Sequence, residues 1–156
     1  MIFYGIDPGF TGAIAVYAPN TGFFDVFDMP TMRNSKGKVE LNHFAVLNIL
    51  EKELEVEHQA WIEKVGAMPG QGVSSMFRFG QCFGALEMAI AASGCVTRYV
   101  SPVTWKRHYT ITSNKDVARS TAMQRFPEHA EKFALKKHDG RAEAALIALY
   151  GSEQKR

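Results

Sequence analysis

Gly5-Ile6-Asp7-Pro8-Gly9-Phe10-Thr11-Gly12 puts one carboxylate at the end of a short apolar run and follows it at once with a turn. The run leading in, Ile2 to Ile6, is too short and too apolar for a surface helix and predicts a strand at the centre of a sheet. Pro8 has no N–H to continue a ladder, and Gly9 admits the positive φ of a tight turn. Gly12 to Ala18 is apolar again, so the unit reads as a hairpin with Asp7 at its mouth. Taken alone, Asp7 reads more readily as an Asx-turn residue bonded to nearby backbone.

Outward from that hairpin, Gly22 to Asp28 is dense in strand formers (Phe23, Phe24, Val26, Phe27) and makes a third strand of a meander. Met29 to Gly37, with Pro30, Asn34, Ser35 and Gly37, predicts an exposed loop. Val39 and then Leu41, Phe44, Leu47, Leu50 and Leu54, the last five at three- to four-residue steps, read as the stripe of an amphipathic helix that the charged run Glu51 to Glu57 closes. Gln59 to Val65 predicts a strand that delivers Glu63 near its end. The glycine-rich segment Gly66 to Gly72 is a loop, and Ser74 is placed to cap a helix running to about Ala92, in which Gly80, Gly84 and Ala85 allow close approach of a neighbour. Cys95 to Val100 is the next strand, Pro102 opens a short helix through Trp105 to His108, and Asp116 to Phe126 is helical until Pro127 breaks it. The last helix starts near His138 or Asp139 and carries Ala142, Ala145, Leu146 and Leu149 on one face. The fold class is therefore α/β: a mixed central sheet of about five strands, the first three antiparallel, with helices on both faces.

With 156 residues, 46% of them hydrophobic, the chain has room for one substantial core, and residues 1–156 read as a single domain. Lys and Arg number 18 against 16 Asp and Glu, so affinity for nucleic acid has to come from how charge is distributed. The segment holding Lys106, Arg107, Lys115, Arg119 and Arg125 has only Asp116 to oppose it. Cys82 and Cys95 lack metal-ligand spacing and suit small buried hydrophobes in a reducing compartment. No stretch is long and apolar enough to span a bilayer, and Met1 leads straight into a strand. A soluble cytoplasmic protein with no membrane partner is expected.

Asp7, Glu63 and Asp139 fall at the ends of elements that converge if the first and fourth strands are neighbours and the last helix packs across them. Glu143 lies one turn beyond Asp139, and side chains four apart on a helix share a face, with Cβ atoms roughly 5–6 Å apart. So many carboxylates brought together either take raised pKa values or are neutralised by hard divalent cations. Oxygen-only ligands favour Mg²⁺, with Mn²⁺ as a substitute, over zinc. Two ions about 3.5–4 Å apart are suited to phosphodiester hydrolysis. Singly, Asp139 and Glu143 read as a helix cap and a solvated face.

Five segments in order resemble the RuvC-like Holliday junction resolvases. They are Gly5 to Gly12, then Trp61-Ile62-Glu63-Lys64-Val65, then Ser75 to Gly84 with its Gly80-Gln81-Cys82-Phe83-Gly84 match to a Gly-Gln-x-x-Gly helix. Pro102-Val103-Thr104-Trp105-Lys106 with Lys115 is similar to the family's lysine-bearing segment, and Lys137-His138-Asp139-Gly140-Arg141-Ala142-Glu143 to its last acidic motif. The resemblance covers about residues 2 to 149. It implies an RNase H-like fold, a homodimer, and metal-dependent paired nicks in a four-way DNA junction that leave 5′-phosphate ends. It assigns Asp7, Glu63, Asp139 and Glu143 as metal ligands, two ions per site, and no organic cofactor. Lys106 and Lys115 match lysines that contact phosphate backbone near the cut, and Arg78 and Arg107 extend the expected DNA-binding surface. Compactness is similar to that of phage-encoded members, some of which accept other branched substrates; for such a member the compartment is the host cytoplasm.

The chain departs from the family pattern in two places. The fourth acid is usually Asp and sometimes His, and the spacing before Glu143 is one residue longer than in the bacterial enzymes, so His138 stands beside it as an alternative ligand or water-activating base, or as a helix cap. Where bacterial members carry a base-stacking aromatic soon after the midway glutamate, this chain has Gly66-Ala67-Met68-Pro69, and Met68 is either an apolar wedge between bases or an internal packing residue. Of Phe77 and Phe79, two apart, one is expected in the core and the other at a dimer or DNA contact. Three other readings compete. The first stretch also suits the phosphate loop of actin-like ATPases and sugar kinases, which need a second domain. A nuclease for RNA–DNA hybrids would use the same acids, and a non-catalytic DNA-binding module would not need them.

Overall fold

The computed structural model describes residues 1–50, 56–66, 69–112 and 114–154. In chain order, β1 (Ile2–Asp7), β2 (Ala13–Ala18) and β3 (Phe23–Asp28) form the antiparallel meander, followed by β4 (Thr31–Arg33), β5 (Val39–Leu41) and α1 (His43–Ile49). Then come β6 (His58–Glu63), α2 (Val73–Ala92), β7 (Val96–Val100), α3 (Pro102–His108), α4 (Lys115–Arg125) and α5 (Asp139–Glu153). Two 3-10 segments, Pro127–Phe133 and Lys136–His138, connect α4 to α5. The main sheet has the order β3-β2-β1-β6-β7, with β6 parallel to both β1 and β7, so it is mixed and five-stranded as expected.

Alternation along the strands sends side chains to two separate cores. Tyr4, Ile6, Ile14, Ala60 and Ile62 pack on one face with Val46 and Leu50 at α1 and with Cys82, Leu86 and Ile90 of α2. Ala13, Ala15, Phe24 and Val26 pack on the other face with α3, α4 and α5. Ala142 and Ala144 to Ala148 are all buried, so α5 is enclosed nearly all round rather than on the one face its sequence suggested. Its approach to the sheet depends on Gly5: a Cβ there would lie 2.1 Å from the Ala144 carbonyl oxygen.

Four local expectations are corrected. Val39 and Leu41 belong to a strand, not to the helical stripe; β4 and β5 form a separate two-stranded ribbon, and Asn42 caps α1 by accepting the Ala45 N–H. The stretch Met29–Gly37 thus contains a strand as well as a turn, because the Asn34 side chain accepts the N–H groups of Lys36 and Lys38 and closes the ribbon. Gly72 rather than Ser74 occupies the N-cap of α2, with no side-chain cap bond. Within this chain Gly80 and Gly84 meet nothing within 4 Å of a Cβ, so no other element of the same copy takes the close approach they allow. Leu54 and the charged residues 51–55 lie outside the described residues.

Candidate active site

The register across the sheet builds the site. Ile6 pairs with Ile62, so Asp7 and Glu63, the next residue on each strand, end adjacent parallel strands together. The carboxyl ends of parallel strands are where open α/β sheets bind ligands. From α5 on the same face, Glu143 reaches in, and oxygens of Asp7, Glu63 and Glu143 all lie within 4.8 Å of one another. Gly140 seats the start of α5 against the first turn: a Cβ on it would come 2.8 Å from the Thr11 carbonyl oxygen and 3.2 Å from Asp7 Oδ2. On the opposite side, Arg141 donates from Nε and Nη2 to Asp28 at 2.6 and 2.7 Å, and Asp28 shares its partner Ala13 with Asp7. That pair, unforeseen in the sequence, clips the first turn of α5 to the end of β3, and the guanidinium holds Asp28 below the ordinary carboxylate range.

The trio is under electrostatic stress. Burial first, then the charges of Glu143, Glu63 and Asp139, push the Asp7 carboxyl well above its ordinary range. Burial likewise raises Glu63, opposed by a hydrogen bond that the fully buried Trp105 indole donates to Glu63 Oε2 at 2.6 Å. Lys106, the next residue on α3, places its ammonium 3.0 Å from Glu143 and 5.1 Å from the centre of the Trp105 ring. Two consecutive residues of α3 therefore address two of the three acids. Trp105 was a motif residue without a role at the level of sequence; its signal was the adjacency to Lys106.

Asp139 and His138 stand apart from the trio. Asp139 acts on Asp7 through its charge, but its carboxylate is paired with Lys115, which overcomes the effect of burial and holds it low. The His138 side chain is buried, makes no cap bond to α5, and has Nδ1 accepting the Leu135 N–H at 3.4 Å; burial and Arg141 lower its pKa. The idea of His138 as an exposed helix cap is thus corrected. Lys106 and Lys115, expected at phosphates, here neutralise carboxylates. Arg78 bonds the Val39 carbonyl and lies 4.9 Å over Phe10, tying α2 to the ribbon, while Arg107 is exposed on α3. Phe77 is 67% exposed, and Phe79 is the half-buried member, packed toward Phe83. Met68 lies outside the described residues.

The donor set fits a hard divalent cation. Three carboxylates converge, two of them with raised pKa values, and one lysine does not offset them. All-oxygen ligation excludes a zinc-like thiolate or imidazole site among the described residues.

No family model and no curated protein matches the sequence. Solved structures do. RuvC of Thermus thermophilus superposes with a TM-score of 0.62 over 97% of this chain and 95% of that one, at 18% identity. T. thermophilus RuvC in complex with a Holliday junction substrate gives 0.62 over 97% and 93%, at 17% identity. The fowlpox virus Holliday junction resolvase gives 0.53 over 98% of both chains, at 15% identity. The likeness runs nearly end to end, and what it establishes is a shared fold: the RNase H-like sheet with helices on both faces.

Proposed function

We propose that the chain is a metal-dependent endonuclease that cuts branched DNA, with the four-way junction as its principal substrate, and that it works as a homodimer. The observation that carries the reading is the convergence of Asp7, Glu63 and Glu143 at the carboxyl ends of β1 and β6. The fold shared with two resolvases, one of them solved with a Holliday junction, supports the choice of substrate.

Asp7, Glu63 and Glu143 would hold Mg²⁺, or Mn²⁺ in its place, with Asp139 joining them for a second ion. Held by these carboxylates, divalent ions would supply charge to a scissile phosphate and favour ionisation of an attacking water. Hydrolysis breaks the P–O3′ bond, leaving a 5′-phosphate and a 3′-hydroxyl. The protein's part is positioning. Trp105 fixes the orientation of Glu63, Arg141 and Asp28 fix the start of α5, and Gly140 lets that helix reach Asp7. Lys106 and Lys115 keep Glu143 and Asp139 compensated before substrate arrives, and their ammonium groups are then available to phosphate oxygens.

The dimer is supported by α2. Val73, Phe77, Gly80, Gly84, Met88 and Ala91 recur at steps of three and four along its exposed side, with Val73, Phe77 and Met88 86%, 67% and 69% exposed. Large apolar side chains flanking a pair of glycines that admit close approach suit a second copy of the same helix.

The decisive experiment compares cleavage of synthetic four-way junctions, Y-forks, linear duplex and RNA–DNA hybrids, with Mg²⁺, with Mn²⁺ and with EDTA. Junction cleavage that needs metal is expected. Hybrid cleavage outpacing junction cleavage would transfer the protein to the ribonuclease branch, and no metal-dependent cleavage of any substrate would sink the enzyme reading.

A further inference from the structure

The β4–β5 ribbon contributes little to either core: all three residues of β4 are exposed, and only Leu41 of β5 is buried. An isolated two-stranded ribbon is marginal in water, yet this one is closed and anchored. Asn34 caps its turn through Lys36 and Lys38, Gly37 takes φ 73°, and the Arg33 guanidinium donates to the Gly37 carbonyl at 2.8 Å. Its base is held where Asn42 N–H donates to the Pro30 carbonyl, beside Met29, whose N–H donates to the Gly12 carbonyl. That anchorage sets the ribbon at the acid end of the sheet. β3 runs parallel in direction to β1, so Asp28 and Asp7 finish at the same edge, and β4 starts three residues after Asp28. Three strand residues at about 3.3 Å each give the ribbon a length of about 10 Å, a span of roughly three base-pair steps.

The ribbon carries three exposed cations, and Lys64 beside Glu63 and Arg107 beside Lys106 are likewise exposed and in no ion pair among the described residues. Near the acids, Lys106, Lys115 and Arg141 are each paired with a carboxylate. On the ribbon, Arg33, Lys36 and Lys38 are exposed and form no ion pair among the described residues, while Glu40 is engaged by the Asn34 amide. Lys38 and His43 also line one wall of a groove of about 700 Å³ whose other wall is the start of α2 with Arg78. Lys38 and Arg78 thus stand on its two walls, with Glu40 also in the lining and Phe10, three residues after Asp7, at one end.

We infer that the β4–β5 ribbon is a second DNA-binding element, an arm whose Arg33, Lys36 and Lys38 take the sugar–phosphate backbone of a duplex arm leaving the cleavage site, on the side of the sheet away from α5. This rests on the branched-DNA reading above. Backbone contacts of this kind position the duplex and carry no sequence information, and each neutralised phosphate adds about 0.9 to the steepness of the salt dependence.

The test is equilibrium binding of a four-way junction in Ca²⁺ or EDTA, across a salt series, for the wild-type protein, for Lys36→Gln/Lys38→Gln, and for the triple variant adding Arg33→Gln. The double variant keeps the Arg33 bond to Gly37, and thermal melting reports whether each variant is folded. Affinity near 0.1 M salt should fall at least tenfold in the triple variant, and the slope of log K against log salt should flatten by about 2 to 3, the double variant lying between. Wild-type affinity and slope in the folded double variant would overturn the inference. So would weakened binding that sedimentation traces to a lost dimer, because the ribbon would then be a protein contact. A wild-type protein that binds no branched DNA at all would instead overturn the functional reading on which this one stands.

Discussion

Asp7 is the residue on which the electrostatic stress of the acidic cluster centres. Its carboxyl is held well above the ordinary range by burial and by Glu143, Glu63 and Asp139. The folded state therefore binds this proton more tightly than the unfolded chain does. Stability is highest below the unfolded pKa and is lost as pH rises through the folded one, where the buried charge appears. In metal-free protein, Asp7→Asn should remove that loss: its melting temperature should exceed wild type at neutral pH and match it in acid, while metal-dependent cleavage disappears and junction binding persists. A variant that melts lower than wild type at neutral pH would show the charge to be compensated. Trp105 gives a second test at this scale. Losing its bond to Glu63, as in Trp105→Phe, should raise the Mg²⁺ midpoint for cleavage about tenfold or more, in line with other residues that orient metal ligands. Since the chain has two tryptophans, Trp61 and Trp105, the emission change on adding metal should vanish in the same variant. At this scale the acids were visible in the sequence because Asp7 and Glu63 end strands with a readable apolar pattern and Asp139 and Glu143 lie one turn apart at the start of a helix with one. Trp105 was not, since an indole that serves a carboxylate 42 positions away leaves no local mark.

Among the elements, α5 and β1 decide whether the site exists. Gly5 has no room for a side chain, the added Cβ meeting the backbone of Ala144 and Ala148 at 2.1–2.3 Å, where no rotamer change can relieve it. Gly5→Ala should therefore destabilise the fold by about 1–3 kcal/mol or more in urea unfolding and separate Glu143 from Asp7, so that cleavage falls by more than the folded fraction does. Equal losses would show that the helix shifts as a body without opening the site. The strands, α3, α4 and α5 were legible because their periods and their Pro and Asn boundaries agree with their neighbours. The β4–β5 ribbon was not: Leu41 stands two residues after Val39, a strand alternation, and three before Phe44, a helical step, and so short a pattern cannot separate the two. The tie was broken by the Asn34 turn and the Asn42 cap, which start the helix at His43.

At the scale of the whole molecule, the exposed side of α2 is an apolar face carrying Val73, Phe77 and Met88. If it closes against a second copy, Phe77→Glu should convert a dimer to a monomer in sedimentation equilibrium with little change in melting, because the side chain is already largely solvent-exposed in one copy. A wild-type monomer at micromolar concentration would remove the dimer from the proposal. Two active sites held in one particle are what paired nicks require, so the same variant should nick one strand and release the junction uncut on the other. The primary structure by itself determined the strand order of the meander, the alternation of helix and strand that follows, and which acids end which elements, because hydrophobic period and turn chemistry are local properties. Only the tertiary structure decided that Asp7, Glu63 and Glu143 meet while Asp139 turns to Lys115 and His138 is buried elsewhere. That choice depends on the parallel pairing of β1 with β6 and on how far α5 can descend onto Gly5, both of them contacts between segments dozens of residues apart.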